Sequence, residues 1–143
     1  MTGYALAEWL GGTRVLKTEV RSSLDLTRLV QAGLPVRVID YLVRRGAITQ
    51  AEVERIVIPR RTLAHRKKRR QVLTPEESDR LARLARVIAR AEATFGDSDK
   101  AHRWLRKSNR ALDGAAPMEL VDTDHGTVMV ENVLGRLAHG VYS

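Results

Sequence analysis

Apolar residues recur at spacings of three and four along most of the chain, the period of helices with one buried face. The strongest helix start is Thr74-Pro75-Glu76-Glu77. There Thr74 suits an N-cap, Pro75 suits the first helical position, and Glu77 can reach back to the cap amide. Leu81, Leu84, Ala85, Ile88, Ala91 and Phe95 then form one stripe, which predicts a helix of about 20 residues ended by Gly96. Arg80, Arg83, Arg86 and Arg90 fall mostly on other faces and read as a solvated side, in preference to a partner-facing one.

Upstream, Leu24, Leu26, Leu29 and Val30 predict a short helix stopped at Gly33, with Pro35 in the first turn of the next. That next helix buries Val38, Ile39, Leu42 and Val43 and stops at Gly46. Thr49 caps a third helix through about Ile56, and Pro59 opens a fourth that runs into a basic stretch. Two short helices joined by a tight turn, the second one basic, match a helix-turn-helix. Thr49 to Val53 reads as the supporting helix and Pro59 to Arg66 as the recognition helix, with Leu63 inward and Arg60, Arg61, Thr62, His65 and Arg66 outward. Two positions depart from the usual pattern: Val57 stands where the turn often has glycine, and Glu54 where a small residue is usual. Residues 1–20 carry Tyr4, Leu6, Trp9 and Leu10 before Gly11-Gly12, compatible with either a short helix or a packing arm.

Downstream, Asp97 or Ser98 begins a helix whose inward residues are Ala101, Trp104 and Leu105. Ser108 to Gly114 is rich in turn formers. Pro117 starts a short helix through Val121, and Asp122-Thr123-Asp124 offers caps for a last one. Val130, Val133, Leu134, Leu137 and Ala138 form its apolar stripe, and Gly140 stops it. The fold class expected is all-α.

A chain of 143 residues with 43% hydrophobic content can bury one sizeable core or two small ones. The net charge of +8 is unevenly spread. Residues 1–73 hold 15 Lys/Arg against 6 Asp/Glu, whereas residues 74–143 hold 10 against 11. Arg60 to Arg70 contains seven basic residues and no acid, which suits either a phosphate-binding surface or a solvated basic linker. With no cysteine and four scattered histidines, neither disulfides nor a metal site is expected. No recognisable spacing brings a nucleophile to a base, and the acid pairs Asp97/Asp99 and Asp122/Asp124 sit where helix caps belong. An enzyme is disfavoured and no cofactor is expected. No stretch approaches the roughly 18 apolar residues of a membrane span, and residues 1–10 lack the basic start of a signal peptide. The location expected is cytoplasmic.

Ala101-x-x-Trp104-Leu105, Ser108-Asn109, Leu112-x-Gly114-x-x-Pro117-x-Glu119-Leu120, Thr123-x-x-Gly126 and Val130-x-x-x-Leu134-x-Arg136 with Gly140 form an ordered series. It resembles the toxin-binding domain of the Xre/MbcA/ParS antitoxin family, over about residues 74–143. The region before it resembles, more loosely, the Xre-type helix-turn-helix half of the same antitoxins. Ser108-Asn109 stands where many members have Pro-Asn, which makes for a less rigid turn. The resemblance implies three segments: 1–20, an arm of unknown role; 21–73, an Xre-like helix-turn-helix domain; and 74–143, a toxin-binding and dimerisation domain.

The implied function is an antitoxin that binds and silences a RES-domain toxin, a type similar to ADP-ribosyltransferases that consumes or transfers from NAD. The antitoxin itself uses no NAD. Members are similar in forming homodimers and in repressing their own operon by binding operator DNA. DNA contacts are then expected from Arg60, Arg61, Thr62, His65, Arg66, Lys67 and Lys68. Toxin contacts are expected from Asn132, Arg136, His139, Val141, Tyr142 and Ser143, with the tail entering the toxin's cleft and Tyr142 occupying a nucleotide pocket. The alternative is a DNA-binding transcriptional regulator without toxin neutralisation, whose second half serves only to dimerise.

Overall fold

The computed structural model describes residues 2–140, and every regular element among them is helical. The chain forms two compact units, residues 1–85 and 86–143, and the boundary lies within one continuous helix.

In the first unit, α1 (Gly3–Trp9) is capped by the Thr2 side chain and α3 (Ser23–Ala32) by Ser22, with the short α2 (Gly12–Leu16) between them. α1 packs on α2 and α3, and α2 packs on α4 (Arg37–Arg44). Gly3 permits the close approach of α1 to α3, since a Cβ there would lie 2.5 Å from the Ser23 Cα. Residues 1–20 thus contribute Leu6, Ala7, Leu10, Leu16 and Val20 to the core. α5 (Gln50–Ile56) and α6 (Arg60–Lys68) follow, then the first turns of α7 (Pro75–Phe95). Leu34, Val38, Ile39, Leu42, Val53, Ile58, Leu63 and Leu73 are buried together in this unit. Each such aliphatic side chain contributes about 1.5–3 kcal/mol on burial. Val43 is only half-buried, because Leu42 and Ile39 already fill the inward face of the two-turn α4. Pro59 is the N-cap of α6, with ψ 149°, so the helix itself begins at Arg60.

The first turn of α7 organises this unit. Thr74 and Glu77 form the expected reciprocal cap, amide to carboxylate at 2.8 Å and amide to hydroxyl at 3.1 Å. Ser78, fully buried beside them, accepts the Leu34 amide at 2.8 Å through its hydroxyl. The Leu34 carbonyl in turn accepts the Leu73 amide at 3.0 Å.

The second unit comprises the rest of α7, α8 (Ser98–Arg106, capped by Asp97), a 3-10 turn (Arg110–Leu112), α9 (Pro117–Leu120) and α10 (Asp124–Ala138, capped by Thr123). α8 and α10 both pack on α9. Ile88, Ala91, Ala101, Leu105, Val121, Val130, Val133 and Leu134 are buried. Trp104, half-buried, lies against Phe95 with ring centroids 5.6 Å apart. At the end of α10, Leu137 is half-buried and Ala138 exposed, so the apolar stripe stops one turn earlier than its spacing implies.

The arginines of α7 are not a solvated side. Arg80 donates twice to the Val57 carbonyl, Arg83 pairs with Asp79, and Arg86 and Arg90 both grip Glu131 of α10. Periodicity alone assigns them outward; the acceptors that draw most of them in lie far along the chain. No helix among the described residues is long and apolar enough to cross a membrane.

Replacing Ser78 by Ala should leave the buried Leu34 amide unpaired and cost about 1–3 kcal/mol. Urea unfolding of the two proteins measures this, and an unchanged midpoint would show the amide to be satisfied otherwise.

Candidate functional sites

The helix-turn-helix is built from α5 and α6. Thr49 caps α5 in a capping box with Glu52, its side chain accepting the Glu52 amide at 3.1 Å while Glu52 accepts the Thr49 amide at 3.0 Å. Val53 and Ile56 face inward, and the turn passes through Val57 at φ −104°, an ordinary right-handed conformation that needs no glycine. The Val57 carbonyl accepts both Nε and Nη2 of Arg80, at 3.0 and 2.9 Å. Glu54 stays half-buried, its carboxylate accepting the Gln50 side chain at 3.2 Å.

On α6 only Leu63 is buried. Arg61, His65 and Lys68, exposed at i, i+4 and i+7, line its outer face with Arg60 beside them, and Thr62 is half-buried. Two members of the expected DNA-contact set are already engaged within the unit. Arg66 makes a fork-like pair with the buried Glu77, at 3.3 and 3.1 Å. Lys67 meets Asp40 of α4 at 2.9 Å, in an exposed pair. Arg70, from the same basic run but outside the expected set, lines a recess with Lys67 and Arg37.

In the second unit, Asn132 and Arg136 lie one turn apart on α10 with the cap residue His139 just beyond, all exposed. With Arg90, Glu131 and Gly135 they line one shallow recess. His139 also holds the Gly135 carbonyl through Nδ1 at 2.8 Å. Val128 and Met129, exposed one turn earlier, extend this surface with apolar area. Val141, Tyr142 and Ser143 lie outside the described residues.

Glu131 sets the rotation of α10. Burial works to raise its pKa, but the hydrogen bonds from Arg86 and Arg90, at 3.0 and 2.8 Å, outweigh that and hold the carboxyl below its ordinary value.

The motif series of the C-terminal half also has local physical reasons. Asn109 caps the 3-10 turn by accepting the Ala111 amide at 2.9 Å. Its own backbone binds Gly114 and Ala115 across the loop, at 2.9 and 3.0 Å, and Ser108 adds a hydroxyl bond to the Gly114 carbonyl. Gly126 lets α10 approach the preceding turn: a Cβ there would lie 2.0 Å from the Leu120 carbonyl oxygen. Thr123 caps α10 by accepting the Gly126 amide at 3.0 Å. Among the described residues no group of three or more His, Asp or Glu side chains is placed to hold a metal ion.

The chain thus joins a basic helix-turn-helix to a helical unit built on this loop and cap pattern. Residues 25–86 match the antitoxin Xre-like helix-turn-helix domain, and residues 90–140 match the antitoxin Xre/MbcA/ParS C-terminal toxin-binding domain. The chain is similar to Antitoxin Xre of Pseudomonas putida, 40% identical over 122 residues that cover 85% of this chain and 76% of the relative. It is similar also to Antitoxin Xre of Photorhabdus laumondii, at 33% over 124 residues covering 85% and 84%. A relative from Sphingobium named Prs ADP-ribosylating antitoxin is 28% identical over 82 residues, covering 51% and 52%. The chain belongs to the Xre/MbcA/ParS antitoxin family: it joins a DNA-binding helix-turn-helix to a toxin-binding domain, and it is a regulator rather than an enzyme.

Because the folded Glu131 carboxyl titrates below its unfolded value, its contribution to stability is present above about pH 4.3. It is lost as pH falls through the lower folded value. Acidification should therefore destabilise the native protein more steeply than Glu131→Gln, as read from denaturant midpoints along a pH series. Parallel curves for the two would refute the clamp.

Proposed function

We propose that this chain neutralises a RES-type toxin that consumes NAD or ADP-ribosylates a target, by covering the toxin's active site with its C-terminal region. The observation that carries this is the exposed row of Asn132 and Arg136 on α10 with His139 at its cap, inside the toxin-binding match. The ADP-ribosylating chemistry in the name of the Sphingobium relative supports a partner of that type. In this reading Arg136 brings positive charge and His139 an imidazole to the toxin's rim, and Val141 to Ser143 enter its cleft. The chain acts as a homodimer and represses its own operon, α6 entering the major groove of the operator with Arg60, Arg61 and His65 toward the bases. A regulator without toxin neutralisation, its second half serving only to dimerise, would leave the match of residues 90–140 to a toxin-binding domain unused.

The test is an NAD-consumption assay with the toxin encoded beside this chain. The intact chain should abolish turnover. Asn132→Arg with Arg136→Glu, or deletion of residues 141–143, should restore at least part of it while leaving DNA binding intact. Full inhibition by both variants would remove the active-site cover, and full toxin activity with the intact chain would remove the partner.

For DNA, Arg60→Ala or Arg61→Ala should weaken operator binding by about 1–3 kcal/mol where the side chain reaches a base. Lys68→Ala should mostly flatten the salt dependence. Titration of labelled operator duplex at several salt concentrations separates the two effects. Unchanged affinity in every variant would place the reading surface elsewhere than α6.

A further inference from the structure

We propose that a basic strip on the amino-terminal unit, running from the end of α6 across α4 to α2, holds the phosphate backbone of the duplex that α6 reads. The strip rests on the helix-turn-helix reading above but lies apart from the base-reading face of α6, and part of it comes from residues outside the helix-turn-helix match at 25–86.

Its residues line two recesses, each of which takes part of its lining from α4. Lys67 and Arg70 face Arg37 around the first, and Arg44 and Arg45 face Arg14 of α2 around the second. Asp40 lines the first and its neighbour Tyr41 the second. All six basic residues are exposed. Asp40 is the one acid lining either recess, and its charge is already matched by the Lys67 ammonium at 2.9 Å. Glu8 lies against Gly12 at the start of α2 but does not line the recess.

Two of the arginines are held in place without being neutralised. Arg45 stacks its guanidinium 4.5 Å over the Trp9 ring and 5.9 Å from the Tyr41 ring, and donates to the Trp9 carbonyl at 3.2 Å. Arg44 engages only Nε, on the Asp40 carbonyl at 3.4 Å. Among the described residues none of Arg14, Arg44 and Arg45 is ion-paired. A planar guanidinium with free amino groups suits a phosphate, and a row of such charges binds nucleic acid by displacing its counterions. A duplex is favoured over an acidic protein surface because the strip begins at the C-terminal end of α6 itself, through the Lys67–Asp40 bridge.

The test uses the full chain with two labelled duplexes, the promoter region upstream of its own reading frame and a scrambled sequence of equal length and composition. Arg14→Ala with Arg44→Ala should weaken both by the same factor. It should also lower the slope of log affinity against log salt by about 1.8, at about 0.9 for each phosphate that the variant leaves unneutralised. The preference for the promoter duplex should stay as it is. If the alanine pair lowers the melting temperature, Arg14→Gln with Arg44→Gln is measured with the same expectation. An unchanged slope, or weakening confined to the promoter duplex, overturns the strip. So does loss of toxin neutralisation with DNA affinity intact, which would assign this surface to a protein partner. Arg60→Ala with Arg61→Ala keeps the two readings distinguishable. If that pair loses the promoter preference while the strip variant binds as the native protein does, only the strip fails. If that pair binds both duplexes as the native protein does, the helix-turn-helix reading fails.

Discussion

The buried carboxylate of Glu77 is the point on which the amino-terminal unit turns. Placing a charge inside a protein costs several kcal/mol unless it is paired and fully hydrogen-bonded. Glu77 meets that condition twice, accepting the Thr74 amide that starts α7 and the guanidinium fork of Arg66 from α6. One side chain therefore fixes where the long helix begins and how the basic helix is turned about its own axis. With Arg66 drawn inward, Arg61, His65 and Lys68 remain on the outer face. The positive charge of α6 thus divides into a part that holds the fold and a part that stays available to a partner.

The second unit repeats the device with different residues. Glu131 on α10 is gripped by Arg86 and Arg90, one turn apart on α7, and so decides which side of α10 meets solvent. Asn132 and Arg136 are exposed because their neighbour Glu131 is committed to α7 and Val130, Val133 and Leu134 are committed to the core. A helix whose rotation is fixed by a doubly held carboxylate presents the same surface to every partner, which lowers the ordering cost of association.

Much of this is legible from residue order because it is local. Caps and stops act within one turn, so Thr49, Thr74, Gly96 and Thr123 announce their helix ends. Both helices of the helix-turn-helix follow from them, as does the inward setting of Leu63. The partners of Arg80, Arg86 and Arg90 are illegible for the opposite reason. They lie 23 to 45 residues away, and periodicity reports which face a residue occupies, not which acceptor waits opposite. Arg66 is hidden in the same way, since its neighbours in sequence are basic and its true partner is Glu77. The role of residues 1–20 is equally concealed. Gly3 marks a close approach of that segment to Ser23, and a glycine near a terminus carries no sign of which backbone it approaches.

The corner between α5 and α6 shows what happens when a local rule is relaxed. At the turn position where such motifs often have glycine, Val57 stands in a conformation open to any residue, and Arg80 buttresses its carbonyl from another helix. Stiffness at the corner has in effect been relocated 23 positions along the chain. Position 57 admits a branched side chain by its own backbone angles, while the hold on the corner falls to the guanidinium at position 80, which no local motif marks.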